Sequence, residues 1–155
     1  MITAKTQVQA EDGKQEILIT RPFELPVELL FKAYSEPELF AQWMGTNVIK
    51  MENKMHGSYA FETAHNGEVV FKANGTIHEF IPNKRITRTF EMEGTSFPVH
   101  LEYLDFESVD DTHSTLHMQM VFKSIYFRDQ LLQMPFAQGL NSAHNRLQET
   151  LIKRI

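Results

Sequence analysis

Toward the end of the chain, between Pro135 and Ile155, Phe136, Leu140, Ala143, Leu147 and Leu151 recur at spacings of three or four. On a helix that spacing gathers all five into one apolar stripe. Gln138, Asn145, Gln148, Glu149 and Lys153 fall largely away from its centre. Pro135 suits a first helical turn, where its missing N–H is not needed. Most of what precedes it alternates in the manner of strands, so one long helix has to lie across a sheet. A strongly bent sheet and a single helix need not fill the space between them, and a cavity is expected there.

The rest of the chain fills in the sheet. Residues 1–13 are polar and read as a flexible N-terminus, and residues 14–155 as one domain. Lys14 to Phe23 alternates, with Ile17, Ile19 and Arg21 on one face, and the strand is expected to end at Pro22. Pro26 opens a short helix carrying Val27, Leu30, Phe31 and Tyr34. A second helix follows, with Ser35 and Glu38 as a capping box, Leu39, Phe40, Trp43 and Met44 as its apolar side, and Gly45 as its stop. From Thr46 to Lys123 the signals are strand and turn. Asn66-Gly67 marks a tight hairpin, and Gly75 a bulge or bend in the long strand after it. Ile86, Arg88, Phe90 and Met92 form one inward set; Val99, Leu101 and Tyr103 alternate with His100 and Glu102. Short turns between consecutive strands imply antiparallel pairing. The reading is α+β: a curved antiparallel sheet of about seven strands, two short helices after the first, and a long C-terminal helix.

Composition excludes several functions. The chain has 155 residues, 42% of them hydrophobic, which can bury a core without cross-links. It has no Cys, so disulfides, thiolate zinc sites and cysteine nucleophiles are all excluded. Met1 to Ala10 lacks an apolar core region, so no signal peptide is expected. No run is long enough to span a bilayer. A net charge of -5 argues against a nucleic-acid partner. A cytoplasmic location is expected, with no membrane insertion.

Three stretches resemble a known family. They are Thr20-Arg21-Pro22-Phe23 with Leu25-Pro26-Val27, Leu30 to Ser35 and Pro37-Glu38-Leu39, running on to Trp43 and Gly45; Lys54 to Tyr59; and Gly139 with Asn145-Arg146-Leu147. Together they are similar to the homologues of the activator of heat-shock protein 90 ATPase, within the START-like or SRPBCC superfamily. The resemblance runs from Ile17 to Leu151 and implies a helix-grip fold. It also implies an enclosed apolar ligand or, as an alternative, contact with a chaperone. The sequence departs from the pattern at Leu140, where an aromatic is usual, at His56, where a second Gly is common, and at Arg88, where an apolar or aromatic residue is more usual.

No catalytic constellation stands out. There is no Gly-x-Ser-x-Gly elbow and no Gly-rich phosphate loop. Glu52, Glu62, Glu79 and Glu102 read mostly as outward, solvated carboxylates. His113 and His117 have a helical zinc spacing, but on a strand they stand about 13 Å apart, so neither a metal nor another cofactor is expected. Arg88, among apolar companions, needs an internal carboxylate, snorkels to the cavity mouth, or awaits an acidic ligand. The expected ligand-binding set is Trp43, Tyr59, Phe61, Phe71, Arg88, Phe90, Tyr103, Met118, Met120, Phe136, Leu140 and His144, around a small apolar or aromatic molecule, lipid-like or polyketide-like. The protein is read as a binder rather than an enzyme, with a polyketide cyclase-like activity as a further alternative, and as a monomer or weak homodimer.

Overall fold

A computed structural model describes residues 4–155. Strands β1 (Gln7–Gln9) and β2 (Glu16–Phe23) come first, then helices α1 (Val27–Ser35) and α2 (Pro37–Met44). Strands β3 (Asn47–Met51), β4 (Ser58–His65), β5 (Glu68–Ile81), β6 (Arg85–Met92), β7 (His100–Asp110) and β8 (His113–Val121) follow. Helices α3 (Ile125–Gln133) and α4 (Phe136–Ile152) close the chain. The described strands form one antiparallel sheet in the order β1-β2-β8-β7-β6-β5-β4-β3. Its concave side faces the helices, as the alternation and the terminal stripe require.

Several local expectations need correction. The sheet has eight described strands, because Gln7–Gln9 of the supposedly flexible N-terminus pairs with Leu18, Ile19 and Thr20. Residues 1–3 of that segment lie outside the described residues. β2 runs on to Phe23 through Pro22, which is tolerated because β1 ends opposite Thr20 and leaves β2 an edge there. The capping box does not form. Pro37 forces the residue before it into extended backbone, so Glu36 becomes the N-cap and Ser35 stays in α1. Pairing of β5 with β4 is unbroken through Gly75, and the register shifts of β5 fall elsewhere, between Val69 and Phe71 against β4 and between Ile77 and Glu79 against β6. Gly75 serves close approach instead: a Cβ there would collide with the Thr89 carbonyl and the Tyr59 ring. Helix α3 is an element that the sequence pattern does not announce. It buries only Arg128 and Leu131, so its apolar periodicity is faint, although Ser124 does cap it by accepting from Phe127 N at 3.3 Å.

The turn chemistry holds where φ must be positive. Asn66 and Gly67 have φ of 53° and 80°, and Gly45 ends α2 in the left-handed region at 65°.

Helix α4 divides into two halves. Ala143, Leu147 and Leu151 are buried against the core shared by α1, α2 and the sheet. Gln148, expected away from the stripe, is buried too, because its amide accepts from Glu24 N at 2.8 Å and donates to Glu24 O at 3.3 Å. Phe136 and Leu140, in the first half, are only half-buried and pack beside Ile19, Met118 and Met120. The second half therefore anchors the helix and the first half roofs what lies beneath.

Truncation should report this division. Leu147→Ala is expected to cost about 2–5 kcal/mol, as fully buried Leu truncations do. Leu140→Ala should cost clearly less, because one side of Leu140 already meets open space. Urea melts of both variants check this; equal losses would mean that the helix is packed evenly along its length.

Candidate functional site

A cavity of about 250 Å³ lies between the concave sheet face and the helices. Sheet residues Phe61, Phe71, Phe90, Met92, Met118 and Met120 form one wall. Trp43, Met44, Leu131, Phe136 and Leu140 form the other, from α2, α3 and α4. Arg88, Glu102, His100, Tyr34 and His144 are its polar members.

Ten of the twelve residues expected around a ligand line this space: Trp43, Phe61, Phe71, Arg88 and Phe90, then Met118, Met120, Phe136, Leu140 and His144. Tyr59 and Tyr103 do not. Tyr59 is buried one layer behind, where its hydroxyl donates to Thr89 O at 2.6 Å and its ring lies 5.0 Å from the Arg88 guanidinium. Tyr103 sits on the outer face. The ladder pairs Arg88 with Glu102 and Thr87 with Tyr103, so if Arg88 points inward, Glu102 does as well and Tyr103 cannot.

The same register overturns the reading of Glu102 as a solvated carboxylate and brings in His100. Reading polarity locally, with Leu101 and Tyr103 as the inward pair, gave the wrong parity. Leu104 and Phe106, which share the parity of His100 and Glu102 and are buried, were the available signal. Tyr34 and Met44 were visible only as helix-core residues, and Leu131 belongs to the helix that was not foreseen.

Glu102 is the hub. Its Oε1 accepts from Arg88 Nε at 2.9 Å and its Oε2 from His100 Nε2 at 2.9 Å. Burial works against ionising Glu102, but the Arg88 charge and the His100 hydrogen bond outweigh it and hold its pKa below the usual carboxylate value. Burial likewise opposes the charge on Arg88, and Tyr59 and Glu102 outweigh that too, so its pKa is raised. Both partners are charged. Burial, the largest influence on Tyr34, raises its pKa and leaves a neutral phenol at the cavity.

A second polar cluster closes the other side. Arg21 is wholly buried, and no carboxylate among the described residues pairs with it. Its Nε donates to Pro22 O at 3.2 Å, Nη1 to Thr6 Oγ1 and Asn141 Oδ1 at 3.3 Å, and Nη2 to Asn145 Oδ1 at 2.8 Å. Thr6 Oγ1 also lies 2.6 Å from His144 Nδ1, and Thr6 N donates to Asn141 Oδ1 at 2.9 Å. The N-terminal strand is thereby tied across α4. Burial, with the Arg21 charge nearby, pushes His144 down to about 3.

Among the described residues, no group of three His, Cys, Asp or Glu side chains is placed to hold a metal ion. His113 and His117 each bond a carboxylate instead, Asp110 at 2.9 Å and Glu107 at 2.8 Å. No described helix is long and apolar enough to cross a membrane.

A curved antiparallel sheet gripping one long helix, with an apolar cavity between them, defines the START-like helix-grip class. Within it, the sequence from residue 24 to 152 matches the family described as Activator of Hsp90 ATPase homolog 1-like protein, and the chain belongs to that family. Solved structures agree on the fold. A Rhodobacter sphaeroides protein superposes with a TM-score of 0.84 at 18% identity, covering 96% of this chain and 99% of its own. Protein Ms6760 from Mycobacterium smegmatis gives 0.82 at 19%, covering 94% and 95%. DynU16, from the dynemicin biosynthetic locus, gives 0.73 at 13%, covering 91% of this chain and 48% of its own. None of the curated proteins matches the sequence.

Two outcomes follow from these clusters. Arg88→Met leaves Glu102 buried without its cation and should lower stability by about 3–5 kcal/mol. Adding Glu102→Leu should restore much of that loss. Urea melts of the single and double variants check the coupling; additive losses would deny it.

The His144 outcome concerns acid. The unfolded chain takes up a proton near 6.5 and the folded chain only near 3, so between them the unfolded state binds more protons. Stability from this group is therefore full above about pH 6.5 and falls by roughly 1.4 kcal/mol per pH unit on acidification. His144→Gln should flatten that slope in melts from pH 7 to 4; an unchanged slope would contradict it.

Proposed function

We propose that this protein encloses a compact apolar or aromatic molecule between its sheet and the first half of α4. The supporting observation is the cavity itself: about 250 Å³, walled by aromatic and Met side chains, with polar groups confined to a few positions. A dry cavity of about 150 Å³ accepts benzene, so this one suits one or two fused rings and is too small for a long acyl chain. Phe136 and Leu140, half-buried, are the roof through which such a molecule enters. Of the structural relatives, DynU16 belongs to a biosynthetic locus, a setting compatible with a cavity that holds a small organic molecule. The protein acts in this reading as a cytoplasmic monomer or weak homodimer.

Contact with a chaperone, the other function the family description raises, would call for a broad exposed apolar surface. Within the strands and helices, the four most exposed large apolar side chains, Ile49, Val70, Val109 and Tyr126, fall on four different elements, β3, β5, β7 and α3, as on an ordinary surface. That favours the cavity.

Glu102 also bears on the ligand's charge. It sits 2.9 Å from Arg88 and cancels its charge locally, so a carboxylate ligand gains little there and meets a like charge. Naphthoic acid and naphthamide, titrated by shifts of the Trp43 indole N–H and the Met118 and Met120 methyls, form a matched test. Both are expected to bind, within about threefold of each other or with the amide favoured. Absence of shifts at these three residues for both compounds would overturn the reading, whereas strong preference for the acid would make Arg88 an anion receptor.

A further inference from the structure

The Glu102 hub has a chemical consequence that goes beyond holding a ligand, although it rests on the cavity being a binding site. An ionised carboxylate only accepts hydrogen bonds, so the proton of the bond to His100 belongs to Nε2. In the unprotonated form of the ring, Nδ1 then carries a lone pair. Among the described residues Nδ1 has no protein partner, and neither do the two Nη atoms of Arg88, which spends only Nε on Glu102. Every sealed side-chain nitrogen and oxygen among these residues does have one. His100 and Arg88 both line the cavity, so these unpartnered nitrogens, which are not sealed, are the groups the two residues have free for a molecule within it. The imidazole cannot easily swing away: its ring sits 5.2 Å from Phe90 and 5.0 Å from Phe122, tilted against both.

An imidazole whose tautomer and aim are set by a carboxylate, with its other nitrogen open, is arranged as a general base. Unspent guanidinium N–H groups in an apolar cavity are arranged to meet a developing oxyanion. We propose that the cavity catalyses proton transfer at the carbon beside a carbonyl in a compact apolar ketone, with His100 Nδ1 as the base and Arg88 Nη as the oxyanion donor. His100 Nδ1 takes the α-proton. The C–H electron pair becomes the enolate double bond, and the carbonyl π pair moves onto oxygen, where Arg88 donates. The imidazolium charge is held against Glu102. Return of the proton to the same carbon regenerates the ketone; delivery to oxygen or to another carbon leaves a tautomer. Nothing is oxidised or reduced, and no co-reactant is consumed. The formal charges also agree: Arg88 and Glu102 sum to zero, and imidazolium with enolate adds nothing to that sum, so a neutral ketone suits the site. Glu102 is a positioning residue, since it acts only through its two neighbours.

The test is exchange of the α-protons of β-tetralone, a neutral bicyclic ketone, in deuterium oxide, followed by proton NMR alongside its binding. The wild-type protein is expected to accelerate exchange saturably. His100→Phe keeps a ring between Phe90 and Phe122 and should bind the ketone but lose about 100-fold or more in rate. Leu140→Trp fills the cavity from the roof without touching the dyad and should abolish both binding and exchange. In nitrogen-15 spectra His100 should carry its proton on Nε2, and Glu102→Gln should change that signature. Binding without accelerated exchange, or exchange undiminished in His100→Phe, overturns the inference alone. Absence of binding by β-tetralone and by both naphthyl compounds overturns the cavity reading and this inference together.

Discussion

The packing of Leu147 and Leu151 against the sheet and the first two helices is what the remaining architecture depends on. Both are fully buried, and burying two such side chains contributes about 3–6 kcal/mol, enough to pin one end of α4. A rigid helix pinned at one end projects its other end over the concave sheet face. Phe136 and Leu140 then cover the cavity without filling it. Tight packing at one end and an open interior at the other are thus two results of a single stripe laid on a bent surface.

The polar groups fit the same frame. An apolar interior raises the cost of any unpaired charge, yet two arginines lie inside. Arg88 is met by a carboxylate on the adjacent strand, directly opposite in register. Arg21 is met by neutral oxygens from Thr6, Pro22, Asn141 and Asn145. The first solution makes a locally neutral pair with donors to spare toward the cavity. The second uses the arginine as a clasp between β2, the N-terminal strand and α4.

Much of this was legible in the sequence because it rests on period. The terminal stripe, the two helices after the first long strand, the Asn66-Gly67 hairpin and the inward set ending in Met92 each repeat a signal over several residues. What escaped depends on a partner far along the chain. Glu102 looks like surface until its register with Arg88 is known, and Gln148 until Glu24 is seen beside it. Gly75 reads as a bend when the actual cause is the Tyr59 ring against it. β1 is too short and polar to announce itself and is specified by the edge that it covers. Most of the cavity's apolar wall could be read from alternation, whereas its polar pair needed the fold.

The strand order has a further consequence, in time rather than in space. β2, among the first elements made, has β8 as its long partner, with Glu16 opposite Val121. Thr6 waits for His144, 138 positions later. During synthesis β1 can pair with β2, and β3 to β7 as successive hairpins, while the other edge of β2 and Arg21 stay in water. The sheet gains its last neighbour, and the cavity its roof, only when the C-terminal helix has emerged. Non-local closure of this kind slows folding, so the nascent chain spends most of its synthesis with one edge of β2 unpaired, and the clasp, unlike the hub within the β6–β7 hairpin, is completed last.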